Sequence, residues 1–138
     1  MADIIDTAVN AGNFTTLVKL IETTELVDLL KSEGPYTVFA PTDDAFANLP
    51  KETLDELLQN IPKLKRILTY HVAFGDAREE DLRQIEEAAT VEGSIVAIES
   101  NGSIKVNQAN VLQTNILTDN GVIHIIDSVL IPALVAAE

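Results

Sequence analysis

The sequence predicts a single α+β domain, because helical and strand-like periodicities occupy different parts of one chain of 138 residues. Up to about residue 87, apolar residues recur mainly every three or four positions, as on one face of a helix. From Thr90 onward the spacing changes to two, as in strands. Helices followed by antiparallel strands are typical of the α+β class, and the length suits one domain spanning residues 1–138.

The first helices are marked by capping and breaking residues. Asp3 is predicted to cap a helix that ends at Gly12. Apolar residues from Phe14 to Leu30 then repeat at helical spacing until Gly34 and the proline after it break the pattern. Further elements are predicted in chain order: a strand at residues 37–40, a helix capped by Thr42 or Asp43, helices at 51–60 and 62–69, extended residues 70–74, and a charged helix at 78–87.

The strands follow at the end of the chain. Segments 94–99 and 103–107 flank Asn101-Gly102, the strongest short hairpin signal. Two more strands are predicted at about 109–117 and 122–131, with a turn at 119–121 between them. We therefore expect the sheet to be built mainly from the second half of the chain.

Charge and composition exclude several functions. The formal net charge of −13 repels nucleic acid phosphates and anionic lipids, so nucleic acid is not an expected partner. The acidic surface favours a soluble monomer. There are no cysteines, and no 18 apolar residues run together, so neither a thiolate site nor a membrane span is expected.

A histidine and an aspartate interrupt an apolar stretch near the end of the chain, and they raise the question of catalysis. In an extended strand, His124 shares a face with Val122 and Ile126, whereas Asp127 lies on the opposite face. The two side chains are then unable to act on one substrate. Because both faces are largely apolar, we expect a buried strand in which each polar group has a hydrogen-bond partner.

Other patterns for chemistry are missing. His71 and His124 are far apart in sequence and lack the further ligands that a zinc site needs. The sequence holds no nucleophile elbow, no glycine-rich phosphate loop and no calcium loop. We therefore predict neither an enzyme nor a cofactor.

Three motifs together resemble the fasciclin-like domain family over essentially the whole chain, in a small single-domain form of prokaryotic and cyanobacterial appearance. The first is the block TVFAPTDDAF, with the motif positions Thr37, Val38, Phe39, Ala40, Pro41, Thr42, Asp43 and Phe46. The second is Tyr70-His71, after Ile67 and Leu68 of a helix. The third is the block NGVIHIIDSVLIP, with the motif positions Asn120, Gly121, His124, Asp127 and Pro132.

The resemblance implies a wedge of about seven mostly antiparallel strands packed with an N-terminal group of helices. It also implies a non-enzymatic cell-adhesion or protein-interaction module, whose partner is a protein or matrix at the cell surface. Members are secreted, periplasmic or surface proteins. No signal peptide is recognised at the N-terminus of this sequence, which leaves a cytoplasmic location open. The resemblance implies that His71 and the residues of the third motif are chiefly structural, and the first motif is assigned a structural role as well.

The same resemblance implies two partner contacts. One is the Tyr-His region, here Ile67, Leu68, Tyr70 and His71. The other is an Asp-Ile pair, for which this sequence has Asn115 and Ile116. Since integrin recognition generally uses a carboxylate to meet a metal, the missing acid counts against integrin as the partner.

A carrier of an apolar ligand such as a carotenoid is the alternative function. Some fasciclin-like proteins resemble such carriers, and the chain is rich in aliphatic residues that line such grooves. The nearest candidate for a spare apolar patch is Ala133, Leu134 and Val135. Aliphatic residues are more often core, so a packed tail is the competing interpretation.

Overall fold

A computed structural model describes residues 3–100, 103–107 and 109–130, and it confirms the α+β prediction. The helices are α1 (Ile4–Ala11), α2 (Thr15–Thr23), α3 (Val27–Lys31), α4 (Asp43–Ala47), α5 (Lys51–Gln59), α6 (Ile61–Thr69) and α7 (Glu79–Leu82). The strands are β1 (Tyr36–Pro41), β2 (Val72–Phe74), β3 (Glu87–Ala89), β4 (Ile95–Glu99), β5 (Lys105–Val106), β6 (Ala109–Thr118) and β7 (Gly121–Ile126).

The seven strands form one sheet in the order β2-β1-β7-β6-β5-β4-β3. All neighbours are antiparallel except β1 and β7, which are parallel. The sheet curls until its two edge strands, β2 and β3, approach each other. Ala73 of β2 forms a bridge with Thr90, just after β3, and the Val91 N–H donates to the Val72 carbonyl at 2.7 Å. This closure protects the backbone of both short edge strands.

The curled sheet separates two apolar cores. Helices α1 to α6 cover one face, where Val38 and Ile123 point toward them. The opposite face encloses a second core that includes Phe39, Val96 and Ile126. Since β7 lies between both cores, all six of its residues are buried, as predicted for an apolar strand covered on both sides.

Local capping sets the helix boundaries. The Asp3 carboxylate accepts from the Asp6 N–H at 2.9 Å, and α1 ends at Gly12 in a left-handed conformation, as predicted. The Thr42 hydroxyl caps α4 by accepting from the Ala45 N–H. Asp43 reaches across to α2 instead, where its carboxylate accepts from the Thr16 N–H at 2.8 Å.

Four predicted boundaries are wrong. Glu25 adopts a positive φ of 62° and splits the second predicted helix into α2 and α3. The charged helix predicted at 78–87 is only one turn long, because β4 recruits residues 87–89 into β3. Tyr70 is the helical C-cap of α6 and is not extended. Strand β7 ends at Ile126, five residues before its predicted end.

Among the residues that the structure describes, no helix is long and apolar enough to cross a membrane.

Candidate functional site

The four residues of the Tyr-His region lie inside the protein. Ile67, Leu68, Tyr70 and His71 are each between 2% and 5% exposed. The Tyr70 hydroxyl donates to the Ile95 carbonyl at 3.0 Å and accepts from the Asn107 amide at 3.1 Å, so it ties α6 to β4. A partner would reach these side chains only if neighbouring residues moved, and their assignment as contacts stays a prediction.

His71 is held as a neutral ring by two backbone groups. Its Nε2 accepts from the Leu130 N–H at 2.8 Å, so the proton must be on Nδ1, which donates to the Ile67 carbonyl at 2.8 Å. Burial disfavours the charged ring and lowers the pKa of His71 from 6.5 to about 4, although the Ile67 carbonyl opposes this change. Both ring nitrogens therefore support the packing of α6 against the residues after β7.

We expect the free energy of unfolding to decrease as the pH falls from 6.5 to about 4, because the unfolded chain binds a proton at His71 before the folded chain does. At about 1.36 kcal/mol per pH unit, the loss would reach roughly 3 kcal/mol. Urea unfolding at a series of pH values would measure it.

The matched variant is His71→Gln, whose amide oxygen is able to accept from the Leu130 N–H but does not titrate. It should be less stable at neutral pH and show a flatter pH dependence in this interval. His124, whose pKa is also lowered from 6.5, contributes to the decline in both proteins, so the difference between them reports on His71. Asp3 and Asp127 have pKa values lowered from 3.8, so their contribution is lost at lower pH. An equally steep decline in His71→Gln would contradict the assignment to His71.

His124 is fixed in the opposite tautomer. Its Nδ1 accepts from the Asn115 N–H at 3.2 Å, so the proton lies on Nε2, which donates to the Ala77 carbonyl at 2.7 Å. The ring stacks on Phe39 of β1, with 5.9 Å between ring centroids. Burial lowers the pKa of His124, opposed by the Ala77 carbonyl and by the charges of Glu79 and Asp76.

Asp127 lies just beyond the end of β7 and pairs with Asn110 of β6. Its carboxylate accepts from the Asn110 N–H at 2.8 Å and from the Asn110 side-chain amide at 3.0 Å. Desolvation raises the pKa of this carboxyl, but the bonds from Asn110 outweigh it and the pKa is lowered. The structure therefore does not bring His124 and Asp127 together, and each has the hydrogen-bond partner that the sequence led us to expect.

The remaining motif residues organise the junctions of the fold. The Thr37 hydroxyl donates to the Gly75 carbonyl and accepts from the Ala77 N–H, both at 2.8 Å. Val38, Ala40 and Phe46 belong to the helix-covered core, and Pro41 is also buried. Gly121 begins β7, and Asn120 lies directly before it. Pro132 lies outside the described residues.

Asn115 is exposed on β6 where the strand is irregular, and the neighbouring Ile116 is half-buried and packs against the helix-covered core. The pairing of β6 with β7 shifts twice, between Val111 and Gln113 and between Gln113 and Ile116. Asn115 is exposed and has a positive φ of 59°, which asparagine tolerates better than most residues. Its side-chain oxygen accepts from the Glu79 N–H at 2.8 Å, at the start of α7.

Two leucines flank this irregularity and were not predicted as site residues. Leu112 is 60% exposed and Leu117 is 43% exposed. We call Leu112, Asn115, Ile116 and Leu117 the β6 surface. Strict alternation along a strand cannot reveal it, because each bulge reverses which residues face outward. The turn-forming asparagine inside an apolar strand was the available signal for the bulge.

The void enclosed between the helices and the sheet in the described residues is too small for an apolar ligand. The void lined by residues such as Leu17, Leu68 and Val72 has a volume of about 10 Å³, which is close to the space of one water molecule. This void does not support the carrier alternative. The predicted apolar patch at Ala133, Leu134 and Val135 lies outside the described residues.

The described residues contain no candidate metal-binding cluster. Within residues 3–100, 103–107 and 109–130, no three His, Asp or Glu side chains come together in a group able to hold a metal ion. The polar contacts of both histidines are instead with backbone groups.

The self-closing sheet with helices over one face, and the three motifs at its junctions, define a fasciclin domain. The family model for the fasciclin domain matches residues 12–132, and the chain belongs to this family. An uncharacterized protein of Synechocystis sp. is 47% identical over 131 residues, covering 95% of this chain and 98% of that protein.

Other relatives are larger than this chain. The immunogenic protein MPB70 of Mycobacterium bovis is 44% identical over 108 residues, which cover 78% of this chain and 54% of MPB70. A solved FAS1 domain pair from the insect cell adhesion molecule fasciclin I superposes with a TM-score of 0.70. That match covers 90% of this chain and 47% of the pair at 22% identity, and it shows the fold alone.

Proposed function

We propose that this protein is a non-enzymatic adhesion or protein-interaction module that acts at the cell surface or in the extracellular matrix. Binding would rest on surface complementarity and involve no covalent step. The observation that carries this proposal is the β6 surface, where exposed leucines flank the residues predicted as a partner contact.

Three properties of the β6 surface suit a partner contact. Leu112 and Leu117 expose apolar area, which is stabilised by burial against another molecule. The intervening bulge is held by two hydrogen bonds, one from the Asn115 N–H to His124 and one from the Glu79 N–H to the Asn115 side-chain oxygen. A pre-ordered contact loses little conformational entropy when it binds.

The charge of the chain limits the partner. With a net charge of −13, the chain would repel an acidic protein and attract a basic one. The fold is shared with domains of an insect cell adhesion molecule, which supports adhesion by analogy. The Tyr-His region would then influence binding through the packing that it supplies to the sheet.

The proposal predicts that surfaces coated with this protein retain cells or matrix of the producing organism. Replacing both Leu112 and Leu117 by serine should reduce retention by at least about tenfold, because burial of two leucines contributes more than the roughly 1.4 kcal/mol that corresponds to a factor of ten. The matched control is Val9→Ser on α1, a residue that is 54% exposed and should leave retention unchanged.

Circular dichroism must show that all variants are folded. If the wild type retains no more cells than an unrelated protein of equal charge, adhesion is the wrong function. If Val9→Ser reduces retention as much as the double leucine variant does, the contact does not lie on β6.

Fractionation of the producing organism tests the location separately. Recovery of the chain from the cell surface, periplasm or medium is the expected result, and intact mass would define its N-terminus. Recovery from the cytosol alone would remove the adhesion proposal.

A further inference from the structure

One side chain holds the β6 bulge in place from below. The Asn115 N–H donates to Nδ1 of the His124 side chain at 3.2 Å. The same ring donates through Nε2 to Ala77, just before α7. His124 therefore connects β6, β7 and the segment that leads into α7.

We infer that His124 is the positioning residue of the β6 surface and that protonation of its ring releases Asn115. At neutral pH the bulge is fixed and the surface is ordered for binding. In acid the surface rearranges and binding weakens. The effect on binding rests on the function proposed above, whereas the release of Asn115 does not require a partner.

The geometry predicts that only one of the two ring contacts breaks. A protonated ring carries hydrogens on both nitrogens, so Nδ1 would present a donor to the Asn115 N–H, which is also a donor. The contact between Nε2 and the Ala77 carbonyl remains favourable, because Nε2 donates in both states. Protonation therefore acts on β6 and leaves the Ala77 contact in place.

The charged groups around His124 come from one side. Asp76 and Glu79, from the segment before α7 and from its first turn, favour the charged ring. Phe39 of β1 and Asn115 of β6, which contact the ring, carry no titratable group. Burial nevertheless lowers the pKa of His124 below 6.5, so the ring is neutral at pH 7 and titrates on the acid side.

Release of Asn115 would spread through its own side chain. Its Oδ1 accepts from the Glu79 N–H at 2.8 Å, so movement of the bulge removes a hydrogen-bond partner from the first turn of α7. Ile116 follows Asn115 directly and belongs to the same irregular pairing. The residues affected are therefore those proposed to contact the partner.

Nuclear magnetic resonance of the uniformly ¹⁵N-labelled protein tests this inference without a partner. At pH 7 the ring of His124 should show the tautomer protonated on Nε2. As the ring titrates, the amide signals of Asn115 and Glu79 should shift with the same midpoint. After correction for the pH dependence of intrinsic exchange, amide protection of Asn115 should fall about tenfold, as expected for loss of one hydrogen bond.

Two variants separate the links of this network. His124→Asn offers an oxygen near the position of Nδ1 but does not titrate, so the Asn115 signal should no longer follow the pH. Asn115→Gly tolerates the positive φ and keeps the backbone N–H, but lacks the bond to Glu79. In this variant the amide signal of residue 115 should still follow the titration of His124, and the amide signal of Glu79 should not.

Several results would overturn the inference. A ring protonated on Nδ1 at pH 7 would contradict the hydrogen bonds, and this measurement needs no variant. Movement of the Asn115 signal only together with global unfolding, or together with Leu130, which reports on His71, would also contradict it.

Cell retention at different pH values tests the effect of His124 on binding. Retention of cells by the wild type should fall in acid and stay constant for His124→Asn. If the Asn115 amide signal follows the titration of His124 but the wild type retains no cells at pH 7, the proposed function fails and the positioning role of His124 stands. If retention falls equally for both proteins, the loss in acid does not come from His124.

Discussion

Gly121→Ala is expected to prevent folding or to lower the free energy of unfolding by more than about 4 kcal/mol, which is exceptional for a single substitution. A Cβ atom at this position would lie 2.0 Å from the Tyr36 carbonyl oxygen and 2.9 Å from its carbonyl carbon. The atoms that this Cβ would meet belong to the backbone of β1, so no flexible side chain is able to move aside. Gly121 is paired with Tyr36 on one side and Thr118 on the other, which prevents β7 from shifting.

The matched control is Gly12→Ala at the end of α1. Gly12 has a positive φ of 82°, but a Cβ atom there would meet nothing within 4 Å. Its substitution therefore incurs only the conformational cost of a left-handed residue, about 1 kcal/mol. Urea unfolding of both variants measures the difference. If Gly121→Ala is no less stable than Gly12→Ala, β1 and β7 do not approach as closely as described.

The parts of the fold that were predictable from sequence are those fixed by local chemistry. Asp3 and Thr42 cap their helices with hydrogen bonds that span only three residues. Gly12 ends α1 because a left-handed conformation is needed there. Such interactions involve neighbours along the chain, so the residue types reveal them directly.

Strand pairing is the part of the fold that the sequence did not specify. Residues 87–89 are charged and small, and they become a strand only because β4 pairs with them, against their own propensity. Strands β1 and β7 were both predicted, but their parallel pairing joins residues more than 80 positions apart, and no local pattern specifies it.

The candidate site was also only partly predictable from sequence. The sequence predicted that His124 and Asp127 would each be hydrogen-bonded, but it did not identify Asn115, Ala77 and Asn110 as the partners. It named Asn115 and Ile116 through the family resemblance, and it missed Leu112 and Leu117 because two bulges change which residues face outward. Exposure on an irregular strand requires the three-dimensional register.

The Asn120 side chain joins the start of β7 to α1 and to the end of α3. Its Oδ1 accepts from the Ile4 N–H at 3.0 Å, in the first turn of α1. Its Nδ2 donates to the carbonyls of Leu30 and Ser32, both at 2.7 Å, at the end of α3. The side chain is buried, so each of these backbone groups depends on it in place of water.

Asn120→Ala is expected to lower the free energy of unfolding by about 3–5 kcal/mol, because it leaves one backbone donor and two backbone acceptors unsatisfied at about 1–3 kcal/mol each, partly relieved by water. The control is Asn48→Ala, at the exposed end of α4, for which a change within about 0.5 kcal/mol is expected. Chemical unfolding at pH 7 measures both. A loss below about 1 kcal/mol for Asn120→Ala would show that Asn120 does not hold the helices to β7.

Asn120→Asp tests the direction of each hydrogen bond at constant shape. One carboxylate oxygen is able to accept from Ile4, but the other would face the carbonyls of Leu30 and Ser32, which are acceptors as well. The folded state then favours the protonated acid, whose hydroxyl donates to one of them, and the pKa of the new carboxyl rises above its usual value of about 3.9. Since the folded chain binds this proton more tightly than the unfolded chain, the destabilisation relative to the wild type should become smaller as the pH falls from 7 to 5. A destabilisation that is equal at both pH values would show that the amide nitrogen of Asn120 does not donate to these carbonyls.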